Sequence, residues 1–164
     1  MKIEVVKRSI LDLDVDAIVN PANSLGYMGS GLSLEIRNKG GQEIEDDILD
    51  KSPMPLGSAI ASISGNLPFK CIIHAPTMEQ PGGISSIEIV RSATKAALEC
   101  AEDLGIESLA FPGMGTGIGG LDLDSVAHAM IEVIVNFDAH ALNRVVLSAI
   151  SDKLYRAFEK VLHP

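Results

Sequence analysis

Two segments of this 164-residue chain concentrate the one residue type that lets a backbone grip an anion without a basic side chain. Of fifteen glycines, three fall in 26–31 and five in 113–120, so eight occupy fourteen positions where even scatter would place little more than one. Glycine loses entropy on folding and is used where φ must be positive or where something must come close to the main chain. Successive N–H groups in such a loop, at the start of a helix, make an anion site, because the amides are unpaired and the helix dipole favours negative charge. Two loops of this kind facing each other can hold a diphosphate from both sides. The overall charge fits such a device. Thirteen basic against twenty-two acidic residues give a net charge of −9, which argues against a protein that holds nucleic acid through its backbone but not against one that holds a small anion through amides.

The common phosphate-binding patterns fit neither loop well. Neither reads G-x-x-x-x-G-K-[ST]. Although Gly115, Gly117 and Gly120 are spaced as in G-x-G-x-x-G, the extra Gly119 departs from the usual pattern, and the loop lies late in the chain with no acidic residue on a following strand placed for a ribose. The remaining alternatives are a nucleotide-dependent oxidoreductase or transferase of doubly wound type, and an interaction module whose glycines only shape turns. Two cysteines, Cys71 and Cys100, make neither a disulfide framework nor a zinc site, so no metal and no cofactor is expected. At 46% apolar and 21% charged the composition is globular. No run approaches the ~18 apolar residues of a membrane span, and Met1-Lys2-Ile3-Glu4 does not open a signal peptide. The expectation is one domain over residues 1–164, cytoplasmic and without membrane contact.

The elements around the loops alternate between strand and helix. Ile3–Lys7 reads as an opening strand, and Ala17–Asn20 as a buried strand stopped by Pro21. The first glycine loop follows, then a helix around Leu32–Asn38 ended by Gly40 and Gly41. The acidic stretch Glu43–Asp50 reads as a solvated helical face. Ser58–Ile63 and Lys70–His74 are strand-like, the latter closed by Pro76. Ile87 to Leu104 shows helical spacing with Gly105 as its cap. Ser108–Phe111 leads into the second loop, after which Asp122 or Asp124 can cap a helix. Arg144–Ile150 is the last strand, and Ser151 can cap a closing helix. This order predicts an α/β fold with a largely parallel or mixed sheet.

The motifs carry a resemblance across nearly the whole chain. Asp16-Ala17-Ile18-Val19-Asn20-Pro21-Ala22-Asn23 resembles the AIVNAAN signature of macro domains, and Phe111-Pro112-Gly113 to Gly120 resembles their second loop. The resemblance implies a three-layer α/β/α fold around a mixed sheet. It also implies binding of ADP-ribose or a close derivative, with some members hydrolysing ADP-ribose-1″-phosphate, O-acetyl-ADP-ribose or ADP-ribosyl adducts, and an ADP-ribosylated protein as a partner class. The implied ligand-binding positions are Ser9, Ile10, Asn20, Asn23, Gly29, Ser30, Gly31 and Leu32, then Gly113, Met114, Gly115, Thr116, Gly117, Ile118, Gly119 and Ile150. Asn23 lies near the distal ribose in this mapping and is, with Ser33, the candidate for a catalytic role. His74 matches a family histidine, although a histidine ending an apolar strand is more often structural.

Departures from the family pattern bear on chemistry. Where many members begin with GDI, whose Asp receives the adenine amino group, this chain has Arg8-Ser9-Ile10. Ser33 occupies the place of the carboxylate in the ester-hydrolysing branch. Gly119 and Ile150 stand where aromatics often pack on the distal ribose and the adenine. The branch with a Lys nucleophile and a second-loop Asp has no match in Ile73–Met78 or Gly113–Gly120. The expectation is a stand-alone member outside those catalytic branches.

Overall fold

Period-two alternation builds the sheet of this computed structural model, which describes residues 1–117 and 120–164. The strands are β1 (Lys2–Val6), β2 (Ala17–Asn23), β3 (Ile60–Ser62), β4 (Cys71–Met78), β5 (Ser108–Phe111) and β6 (Arg144–Ser148). The helices are α1 (Gly31–Gly40), α2 (Gln42–Asp50), α3 (Ile87–Asp103), α4 (Leu123–Val135) and α5 (Asp152–Leu162). The strands join in the order β1-β6-β5-β2-β4-β3, all parallel except β3, which pairs antiparallel to β4. Side chains on successive strand positions enter opposite cores. Ala17, Val19, Ile73, Leu109, Phe111, Val145 and Leu147 pack with α3, α4 and α5. Ile18, Ile72, Ala110 and Val146 pack with Ile36 of α1 and Ile44 and Ile48 of α2. Helices on both faces of one mixed sheet give the expected α/β/α layering.

Two strands run further than the sequence suggests. Neither Pro21 nor Pro76 ends its strand: β2 continues to Asn23 and β4 to Met78. A proline is tolerated where its missing N–H has no ladder partner to lose. The β5 ladder on β2 covers only Ala17 and Ile18, so the outer end of β2 is flanked by β4 alone. The last strand is shorter than expected, stopping at Ser148 and leaving Ile150 outside it and largely exposed. β3 is reduced to three residues.

The helix starts explain the loops between strands. Ser86, Asp122 and Ser151 cap α3, α4 and α5 by accepting from the backbone N–H groups of Ile89, Ser125 and Leu154. Ser30 holds the same position before α1, in extended conformation, yet makes no side-chain cap bond. The first N–H groups of α1, on Gly31, Leu32 and Ser33, therefore stay available at the mouth of the cleft described next.

Candidate functional site

Connections leave β2 and β5 in opposite directions across the sheet, so the carboxyl ends of these neighbouring strands form a switch point, where open α/β sheets hold ligands. Both glycine loops start there. Between them lies a cleft of about 450 Å³, within the range of small-molecule sites. It is lined along its middle by Ser30, Gly31, Leu32, Gly113, Gly115, Thr116 and Gly117. One end is formed by Ser9, Ile10, Ile150, Ser151 and Leu154, beyond β1 and β6. The other is formed by Asn23, Tyr27, Ser33, Thr77, Met78, Pro81 and Gly82, beyond β2 and β4. Among the described lining residues there is no Lys, Arg or His, and Glu35 is the one carboxylate. An anion here meets amides and helix dipole rather than cations.

Local hydrogen bonds show why the first loop takes its shape. Asn23 Oδ1 accepts from the amides of Gly26 (2.9 Å) and Tyr27 (3.3 Å), while its Nδ2 donates to the Tyr27 carbonyl at 2.8 Å. The asparagine thus spans the turn and holds it closed. The Met28 amide donates to Glu45 Oε2 of α2 at 2.6 Å, and Arg37 and Gln42 donate to the same carboxylate. Burial works to raise the Glu45 carboxyl, but the Met28 amide, Gln42 and Arg37 outweigh it and hold it below the ordinary glutamate value. This corrects the reading of Glu43–Asp50 as a uniformly solvated face, since Glu45 is buried and anchors the loop from below. The second loop is tight at Gly115, where φ is +71° and a Cβ would lie 3.0 Å from Val90 Cγ2 and Leu121 Cδ1. Thr116 Oγ1 donates to the Gly113 carbonyl at 3.0 Å, closing the turn.

A buried polar chain runs from the edge strand to the cleft. Ser62 Oγ donates to the Ile63 carbonyl and lies 2.8 Å from His74 Nε2. His74 Nδ1 is 3.1 Å from Asn20 Nδ2, and Ser33 Oγ donates to Asn20 Oδ1 at 3.0 Å. With the Ser62 proton committed to Ile63, the consistent assignment has His74 Nε2–H donating to Ser62 and Asn20 Nδ2 donating to His74 Nδ1. His74 is fully buried, and burial pushes its imidazole down to about 3, so it is neutral. The Ser33 hydroxyl proton is thereby pointed inward, and its lone pairs are what the cleft can use.

These contacts sort the expected positions. Ser9, Ile10, Asn23, Ser30, Gly31, Leu32, Ser33, Gly113, Gly115, Thr116, Gly117 and Ile150 line the cleft. Asn20 is not among the lining residues: it is fully buried, and its Oδ1 accepts from the Ser33 hydroxyl. Met114 is also buried, in the core beneath the second loop, and does not face the cleft. Gly29 is absent from the lining. Ile118 and Gly119 lie outside the described residues. Ser9 spends its hydroxyl on capping the short 3-10 turn Ile10–Asp12, accepting from Leu11 N–H at 3.3 Å. Sequence reasoning missed Tyr27, Glu35, Thr77, Met78, Pro81, Gly82, Ser148 and Ser151. Only the pairing of strands brings most of them to the cleft. Among the described residues no group of three His, Cys, Asp or Glu is placed to hold a metal, and no helix is long and apolar enough to cross a membrane.

Comparison with known proteins decides the family, since the Macro domain family matches residues 19–130. The chain belongs to the macro domain family. A protein of Aquifex aeolicus described only as uncharacterized is 49% identical over 162 residues, covering 99% of this chain and 98% of its own. The fold of this macro domain is likewise shared with solved structures. A mutant macrodomain of Oceanobacillus iheyensis, solved with ADPR, superposes with a TM-score of 0.82 at 24% identity, over 98% of this chain and 91% of that one. A Trypanosoma brucei macrodomain in complex with ADP-ribose gives 0.87 at 21% identity, over 98% and 68%.

Proposed function

We propose that this macro domain binds ADP-ribose or a close derivative in the cleft between its two glycine loops. The observation that carries the reading is the start of α1. Ser30 leaves it uncapped while three other helices are capped by side chains, and it opens onto a cleft that offers an anion no cation. Its diphosphate would take the amides of Gly31, Leu32 and Ser33 on one side and of Gly115–Gly117 on the other. Ile10, Ile150 and Leu154 offer an apolar end for the base, and Asn23, Ser33 and Thr77 a polar end for the distal ribose. The ADP-ribose and ADP carried by related structures support this assignment. An ADP-ribosylated protein is the partner class this reading implies as a source of the ligand, and the net charge argues against nucleic acid.

Chemistry at this site is a finer reading. Removal of the 1″-phosphate or of an acetyl ester is the favoured reaction, with the substrate's own phosphate orienting water and the loop amides stabilising developing charge. Neither catalytic candidate supplies a general base: the Ser33 proton goes to Asn20, and both ends of the Asn23 amide serve the loop. Asn23 would act by positioning, through the turn it holds. Calorimetry tests the binding proposal directly. ADP-ribose is expected to bind one to one and more tightly than AMP, and equal or better affinity for AMP would overturn it.

A further inference from the structure

One buried hydroxyl at the polar end of the cleft has no partner among the described residues. β2 and β4 pair residue for residue from Ala17 opposite Cys71 to Ala22 opposite Pro76, and then Asn23 stands opposite Met78. Thr77 is the residue skipped. A bulge of this kind releases one position from the ladder and re-aims its side chain, and bulges gather beside functional sites for that reason. Thr77 is fully buried and lines the cleft, yet its Oγ1 makes no hydrogen bond. Ser85 Oγ is likewise buried without a partner, but Ser85 does not line the cleft, while Thr94 donates to the Val90 carbonyl and Ser148 to the Arg8 carbonyl. An unpaired buried hydroxyl costs stability, and such a group in a native protein calls for an explanation.

We infer that Thr77 is a specificity-determining contact for the terminal, hydroxyl-bearing group of the ligand, its hydroxyl held unpaired by the bulge until a ligand supplies the partner. The inference rests on the ADP-ribose reading and deepens it, because Thr77 lies at the end of the cleft beyond β4, opposite the end formed by Ile10 and Ile150. A step of about 120° in χ1 can carry Oγ1 to the place the methyl holds, which re-aims the hydroxyl without moving the backbone. The chemistry is complementary to its neighbour across the same end. Ser33 gives its proton to Asn20 and offers the cleft an acceptor, whereas the Thr77 proton is uncommitted and makes it a donor. A ribose hydroxyl needs both, donating to one oxygen and accepting from the other. An apolar substituent satisfies neither.

The test compares ADP-ribose with ADP, which lacks the terminal ribose, in wild type, Thr77→Val, Thr77→Ser and Thr77→Ala. Thr77→Val keeps the shape and removes the unpaired hydroxyl, so without ligand it is expected to melt no lower than wild type. Its affinity for ADP-ribose should fall by roughly fivefold, the equivalent of one neutral hydrogen bond. Its affinity for ADP should not change. Thr77→Ala should show the same split between the two ligands, and Thr77→Ser should keep the wild-type preference. Wild-type affinity for ADP-ribose in Thr77→Val, or equal losses for both ligands, would overturn the inference. Should wild type itself bind ADP-ribose no better than ADP and AMP, the ADP-ribose reading falls, and the role of Thr77 falls with it.

Discussion

Acidification from pH 7.5 to 5 should weaken this fold through a single buried ring. His74 sits between Ser62 and Asn20 with no exposed surface, and its pKa is pushed from 6.5 to about 3 by burial. The unfolded chain takes up a proton at this histidine as the pH falls below about 6.5, while the folded protein does not. The unfolded state therefore binds more protons across the window from 6.5 to 3, and stability drops as pH drops. Integrated to pH 5, the loss is about 2 kcal/mol, with a limiting slope of about 1.4 kcal/mol per pH unit. For a chain of this size that corresponds to roughly 4–8 °C in melting temperature. Carboxylates do not account for it. Glu4, Glu45 and Asp47 have lowered values, so their contributions are complete above the ordinary carboxylate range and are lost only in more acidic solution. Urea unfolding at pH 7.5 and 5.0, in wild type and in His74→Gln, measures the effect. The variant should be less stable at both values but nearly flat between them. An equal slope in both proteins would refute the assignment of this window to His74, and with it the neutral ring that directs Asn20 and Ser33.

Four further outcomes are expected. Gly117→Glu should fold normally, because a Cβ at Gly117 meets nothing within 4 Å and its φ is not positive, yet ADP-ribose binding should vanish in calorimetry as the carboxylate fills the diphosphate space. Glu45→Ala strips the Met28 amide of its acceptor and leaves Arg37 unpaired, so thermal melts should show a loss of about 2 kcal/mol. Release of ADP-ribose from modified glutamate should be slow or absent in a turnover assay, since Ser33 offers no carboxylate, while Asn23→Ala should slow any release of 1″-phosphate or acetate. Affinity for ADP-ribose should vary little with salt, and a gel shift should show weak RNA binding even at low salt, because amides displace few counterions.

The sequence carried the element order well because each core-facing stripe is local. The Ile87–Asp103 helix and the Ser108–Phe111 strand are visible in spacing alone, as are the caps at Asp122 and Ser151. The two glycine loops were legible for the same reason, since composition marks them without reference to partners. What depends on pairing was hidden. Pro21 and Pro76 look like stops until the sheet shows that one flank of β2 is open there. Thr77 carries no motif and becomes distinct only through the register of β4 against β2. Glu45 looks like any acid on a charged helix, and only the packing of α2 under the first loop brings it to the Met28 amide. Asn20 was placed in the ligand set by its motif, but the burial of its strand turns it toward His74.

The pairing of β1 with β6 has a consequence for the history of the chain rather than its resting state. Lys2 lies opposite Arg144 and Val6 opposite Ser148, and β1 has no other strand beside it. Among the described strands, the first in chain order is therefore completed by the last. Until β6 has been made, Ile3 and Val5 have no core to join, since the surface that covers them includes β6 and the helix that follows it. Closing so long a loop brings its entropic cost before any ladder bond is gained, which places this edge among the non-local contacts that slow folding. The switch point between β2 and β5 lies two strands inward from it. The closing seam meets the cleft at Ser148, yet both glycine loops lie inward of it, and a lesion at the Lys2–Arg144 end of the seam would delay assembly without altering a single lining residue of those loops.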